Sequence, residues 1–167
     1  LQYYFEALKI AEEKKLDFLA AKSYNNIGNI YNDGANYNEA QIYYDKALVL
    51  EKRFNNQASI VTILLNMGIV NRRKGNETEA VKYFNQSLEI CKTHSLKKMW
   101  AQNLGFLGHT AYDRKDIEKA KEYFTEEKEI VDFLDDTYYL TKFLIDQGKF
   151  HMGIEELEAA ESNLLKA

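Results

Sequence analysis

Gly28, Gly68, Gly108 and Gly148 stand forty residues apart, and Ala40, Ala80, Ala120 and Ala160 keep the same interval. A fixed period in this range marks units that cannot bury their apolar faces alone and must stack on neighbours. Small residues at a fixed place have a mechanical meaning as well. Where two helices cross closely, glycine or alanine lets the backbones approach, and a larger side chain overpacks the contact. The period therefore predicts one helical unit written four times, an array whose business is binding, without naming what is bound.

Apolar residues recur at spacings of three and four, as in Tyr24, Ile27, Tyr31 and then Ile42, Tyr43, Ala47, Leu50, which is the pattern of amphipathic helices. Stop and start signals punctuate it: Gly34 then Asn36, Gly75 then Asn76, Arg114 then Asp116, Gly153 then Glu155. Glycine adopts the left-handed conformation past a helix end, and Asn or Asp accepts a backbone N–H at the next start. Asn36 with Glu39 and Asn76 with Glu79 have capping-box spacing. The reading is nine helices: 1–15, 18–33, 36–53, 57–74, 76–94, 97–114, 116–133, 136–152 and 155–167.

The expected core lies on further ladders of the same period. Tyr4, Tyr44, Phe84, Phe124 and Leu164 form one, followed a turn later by Leu8, Leu48 and Leu88, with Lys128 breaking the series. Tyr24, Leu64, Leu104 and Leu144 form another, and Ile27, Met67, Leu107 and Gln147 a third.

Composition narrows the class. With 46% hydrophobic residues, 13% aromatic and no proline, the chain reads as ordered and free of linkers. A net charge of −4 gives no basic field for a phosphate backbone, so nucleic acid is not an expected partner. The longest apolar run, Ile60 to Leu65 interrupted by Thr62, is too short for a membrane span, and no membrane contact is expected of this segment. One cysteine, Cys91, excludes an internal disulfide and leaves the redox compartment open, with a cytoplasmic location the weakly favoured one. The chain starts on Leu1 and stops within a helical pattern, which reads as a segment of a longer protein.

The first full unit, with Tyr24, Ile27-Gly28, Tyr31, Ala40, Tyr44 and Ala47, resembles the tetratricopeptide repeat. The resemblance covers the chain as a single array: 1–15 as the second helix of a partial repeat, then four full repeats at 18–53, 57–94, 97–133 and 136–167. Departures accumulate downstream: Asn71, Ala111 and His151 replace the aromatic at Tyr31, and Ser87 and Glu127 replace the alanine at Ala47. The usual repeat is about 34 residues. A forty-residue unit is similar to the long-helix subclass of kinesin light chains, Pins-like polarity adaptors, and bacterial peptide-responsive regulators and sensor kinases. The implied fold is all-α, a right-handed α-solenoid of antiparallel helix pairs, whose concave groove holds a peptide.

Carried over position by position, the family's groove falls on Lys22, Asn25, Asn26 and Asn29, then Thr62, Leu65, Asn66, Ile69 and Arg73. It continues through Gln102, Phe106, His109 and Tyr112 to Lys142, Asp146 and Lys149. Asn26 and Asn66 are equivalent positions, where asparagines of the long-repeat relatives clamp the main chain of a bound peptide; a carboxamide offers that chain both a donor and an acceptor. Asparagine is a poor helix former, so Asn25, Asn26, Asn29 and Asn32 in one helix imply a compensating role. The clamp lapses at Phe106 and Asp146. The carboxylate clamp of chaperone-tail binders is matched only at Asn29 and Asn66, since Asn25, Gln102 and Phe106 stand in place of its cations.

No catalytic or cofactor constellation emerges. Cys91 and His94 are three apart and could face one way, but His109 and His151 lack ligand spacing, so no metal site is expected. Acidic residues from Glu126 to Asp136 read as a solvated face, and Trp100, Tyr138 and Tyr139 as packing residues at helix starts. The expected function is a non-enzymatic interaction module for a peptide or protein ligand, serving as an adaptor or as the sensory part of a regulator. The alternatives are a structural spacer or self-associating array joined through ends at Leu1, Tyr4 and Leu164, or an accessory domain of a parent enzyme or kinase.

Overall fold

The computed structural model describes the backbone through Leu164 and the side chains through Glu155. The chain is all-α, a solenoid of helix pairs made of α1 (Gln2–Glu13), α2 (Asp17–Asp33), α3 (Tyr37–Arg53), α4 (Gln57–Arg73), α5 (Glu77–Thr93), α6 (Lys97–Asp113), α7 (Ile117–Leu134) and α8 (Thr137–Leu164). It divides into two compact units, Leu1–Met99 and Trp100–Ala167.

In the first unit, α2 packs on α3 and α4 on α5 through the glycine ladder. A Cβ placed on Gly28 would stand 2.6 Å from the Tyr44 ring, and one on Gly68 would collide with Phe84. Tyr44 and Phe84 are fully buried, as are Ala40 and Ala80. Each glycine is therefore the seat of the aromatic that follows it by sixteen residues. Ile27, Leu64 and Met67 complete this core. Aromatics also tie α1 and α2 to α3: the Tyr31 and Tyr43 rings stack at 5.4 Å, and Phe5 meets Tyr43 edge-on at 6.1 Å.

The second unit repeats the device once. A Cβ on Gly108 would stand 2.6 Å from Phe124, which is buried with Leu104, Leu107 and Ala120. Gly148 does not follow: none of the described residues lies within 4 Å of the place its Cβ would occupy. The expected break at Gly153 and Glu155 is also absent, because Thr137–Leu164 is one helix, and among the described residues eight helices stand where nine were expected. Gly153 instead gives close passage to the Tyr112 hydroxyl. An isolated glycine inside a helix costs too little to end it. Leu144 is 58% exposed rather than core. Tyr4 is exposed as well, while Leu48 and Leu88 are half-buried. The calls on Ala160 and Leu164 concern side chains outside the described residues.

The turns follow a rule that the glycines did not reveal. Lys15, Ala35, Asn55, Gly75, Ser95, Lys115 and Asp135 all have positive φ, at intervals of twenty residues. In the first six, the left-handed residue donates its N–H three residues back and the next residue donates five back, as with Ala35 to Asn32 at 3.1 Å and Asn36 to Tyr31 at 2.8 Å. This is the Schellman motif, which satisfies the last carbonyls of a helix. Gly34, expected to be left-handed, has φ −81 and the task falls to Ala35. Asn36 and Asn76 do stand at N-caps, yet neither side chain forms the capping hydrogen bond; Asn56 and Asp116 do, accepting from Ser59 and Lys119.

Candidate functional site

Within the first unit, the sequence-derived groove residues lie along α2 and α4. Asn25, Asn26, Asn29, Thr62, Asn66 and Ile69 are half-buried, and Lys22 and Arg73 are exposed. Leu65 differs, at 4% exposure: its side chain packs inward and offers no ligand surface.

The asparagines divide into two kinds. The Asn66 Nδ2 donates to Asn29 Oδ1 at 3.1 Å and to Asn25 Oδ1 at 3.3 Å, joining α2 to α4. The buried Tyr44 hydroxyl donates to the same Asn29 oxygen at 2.7 Å, and desolvation above all, with Asp33 adding to it, pushes that phenol well above its ordinary range. A phenol held neutral stays a donor, so the arrangement is fixed. Farther along, Arg73 Nη1 donates to Asn32 Oδ1 at 3.0 Å. Asn25, Asn29, Asn32 and Asn66 thus spend part of their capacity on ties between repeats, which offsets their weak helix propensity. Asn26 forms no side-chain hydrogen bond to the described residues.

Beside Asn26 a cavity of about 410 Å³ opens between α2 and α4, lined by Lys22, Asn25, Asn26, Thr62, Ile63 and Glu51 among others. Four of the sequence-derived residues meet here. Glu51, which sequence reasoning passed over, is 2% exposed and its Oε2 has no hydrogen-bond partner. The signal was present: Ala11, Glu51, Cys91 and Val131 occupy one forty-residue ladder, all buried, and only Glu51 is charged. Lys22 lines the same cavity, with its ammonium 4.3 Å over the Phe18 ring.

In the second unit the residues carried over are more committed to packing. Gln102, Phe106, His109 and Tyr112 are half-buried. His109 meets Phe124 edge-on at 5.2 Å, and Tyr112 meets Phe150 edge-on at 5.4 Å. Lys142 and Lys149 are exposed, and Lys149 lies 3.8 Å from the half-buried Asp146. Glu127, at the place of Ala47, is buried, and a Cβ on Gly105 would come 2.9 Å from its Oε1. Burial chiefly, and then the Asp146 charge, raise the Glu127 pKa to about 8 against the pull of Lys142.

Two weaker readings change. Cys91 is buried and His94 exposed, so they do not face one way; among the described residues no group of three or more His, Cys, Asp or Glu could hold a metal. Trp100 packs as expected, donating to Glu126 at 3.2 Å, whereas Tyr138 is 71% exposed. No described helix is long and apolar enough to cross a membrane.

Comparison with known proteins places this geometry. The family model of the tetratricopeptide repeat matches residues 19–93 and again 59–132. Among solved structures, aspartyl phosphate phosphatase F from Bacillus subtilis is similar with a TM-score of 0.83 at 18% identity, covering 98% of this chain and 45% of that one. A Rap protein complexed with competence and sporulation factor gives 0.79 at 22%, covering 98% and 48%. The Rap conjugation gene regulator of plasmid pLS20, in complex with the Phr* peptide, gives 0.72 at 20%, covering 98% and 45%. The chain thus spans a little under half of each. Comparison with curated proteins gives no match.

Proposed function

Because the chain belongs to the tetratricopeptide repeat family, we propose that it is the peptide-binding part of a regulator, holding an extended segment along α2 and α4. Kinship of fold with proteins solved in complex with the Phr* peptide or with competence and sporulation factor supports this choice over a general adaptor. One observation carries it: a cavity on the face formed by Lys22, Asn25, Asn26 and Thr62, next to a carboxamide that the fold itself leaves unused. Asn26 would serve the peptide main chain, which needs one donor and one acceptor per residue, while the Asn25–Asn29–Asn66 ties hold the surface ready.

The test is a random-peptide display screen on the protein, followed by Asn26→Ala. Since the Asn26 side chain has no hydrogen-bond partner among the described residues, the variant should keep its melting temperature and lose about tenfold in affinity, the scale of one hydrogen-bond pair. An unaltered affinity, or no peptide selected at all, would remove the reading.

A structural spacer or self-associating array is the second reading, and α8 favours it. Leu140, Leu144, Ile145 and Met152 are all at least 40% exposed along that helix. Light scattering across a concentration series decides it; a monomer throughout speaks against association.

A further inference from the structure

Glu51 is a carboxylate in a place where the repeat puts Ala11, Cys91 and Val131. Burying a charge without a partner is among the costliest things a fold can do, and native structures seldom leave such an oxygen unsatisfied. The repeat itself fills the equivalent positions with buried apolar side chains. Glu51 nevertheless lines a cavity of about 410 Å³, and its Oε2, itself screened from solvent, has no hydrogen-bond partner among the described residues. That volume suits a side chain much larger than a water molecule.

We propose that this cavity is a subsite for a cationic side chain of a bound peptide, preferably a guanidinium, with Glu51 as its counter-charge. The inference rests on the groove reading for the peptide, and on Glu51 alone for the charge. A guanidinium suits the walls: it is planar, weakly hydrated and carries five donors for the carboxylate and carboxamide oxygens that line the cavity. Thr62 and Ile63 give its alkyl stem an apolar flank. Lys22 borders the same cavity as a rival cation, stationed on Phe18 rather than on Glu51. It would resist entry of a second positive charge, and so it sets a threshold against weak ligands.

The probe is propylguanidinium chloride, with neutral N-propylurea as its isostere, titrated into isotopically labelled protein at constant ionic strength while the Asn25 and Asn26 resonances are followed. Propylguanidinium should shift them saturably and propylurea should not. Glu51→Gln should weaken binding at least about tenfold, the effect of losing a charged hydrogen bond, and Lys22→Met should tighten it. Equal response to propylurea, unchanged binding by Glu51→Gln, or weaker binding by Lys22→Met would each overturn the subsite. Glu51→Val, which copies Val131, supplies a second variant if the glutamine form melts early. A displayed peptide whose arginine can become citrulline without loss of affinity would sink the subsite and leave the groove standing. Propylguanidinium binding with no selected peptide, or spermidine binding more tightly than every arginine peptide, would overturn the peptide source and leave a site for free cations.

Discussion

Four glycines that look alike in the sequence have two different fates. Gly28, Gly68 and Gly108 each lie under an aromatic ring, while Gly148 faces open space. Gly68→Ala should therefore cost about 1–3 kcal/mol by overpacking against Phe84, and Gly148→Ala should gain up to about 1 kcal/mol from helix propensity alone. Paired thermal melts check this, and equal shifts of one sign would contradict it. Glu127 offers a second handle. Its native pKa is raised to about 8 from an ordinary 4.5, so between those values the folded state holds a proton that the unfolded chain has released. Stability from this group is full below the lower value and is lost as pH rises through the upper one. The unfolding free energy should fall with pH across that window by up to about 1.4 kcal/mol per unit. Glu127→Gln, melted alongside at each pH, should flatten the slope; an identical slope would show that other groups set it.

At the scale of the element, helices and core were legible because their causes are local and chemically selective. Only a residue without a Cβ fits beneath Tyr44 or Phe84, so selection writes glycine there and the period becomes visible. The turns were illegible for the opposite reason. A left-handed residue costs a non-glycine about 1–2 kcal/mol, which the surrounding hydrogen bonds can override, so Lys15, Ala35, Asn55, Ser95, Lys115 and Asp135 carry no mark of it. Gly34 and Gly153 misled for the same reason, being glycines in ordinary helical surroundings. The candidate site shows the same split: the family's pattern names Asn26 and Thr62, which line the cavity, whereas Asn29 and Asn66 could not be known to bond one another, nor Leu65 to point inward. Relieving a strained turn should help the fold. Ala35→Gly should stabilise by about 0.5–1 kcal/mol after its larger unfolded-state entropy is subtracted, measured by urea titration, while a loss would mean that Ala35 is not strained.

The whole molecule joins units of unequal quality. The unit from Trp100 onward carries the buried Glu127 with Asp146 close by, a buried Gln147 Nε2 without a partner among the described residues, and the exposed apolar residues of α8. Repeat arrays of this kind can lose cooperativity. Trp100 is the only tryptophan, so its fluorescence reports on that unit. In urea the fluorescence transition should precede the loss of helical dichroism, and coincident curves would show the two units melting as one. Finally, α2 through α6 are seventeen residues each, separated by turns of three. No slack exists anywhere in that alternation. One added residue would rotate everything after it by about 100° about the helix axis, swinging ladder positions to the surface and Glu51's neighbours out of reach. Such a gene keeps its ladders only if it grows or shrinks in whole beats of forty codons, one helix pair at a time, so inheritance in this chain is quantised by its turns.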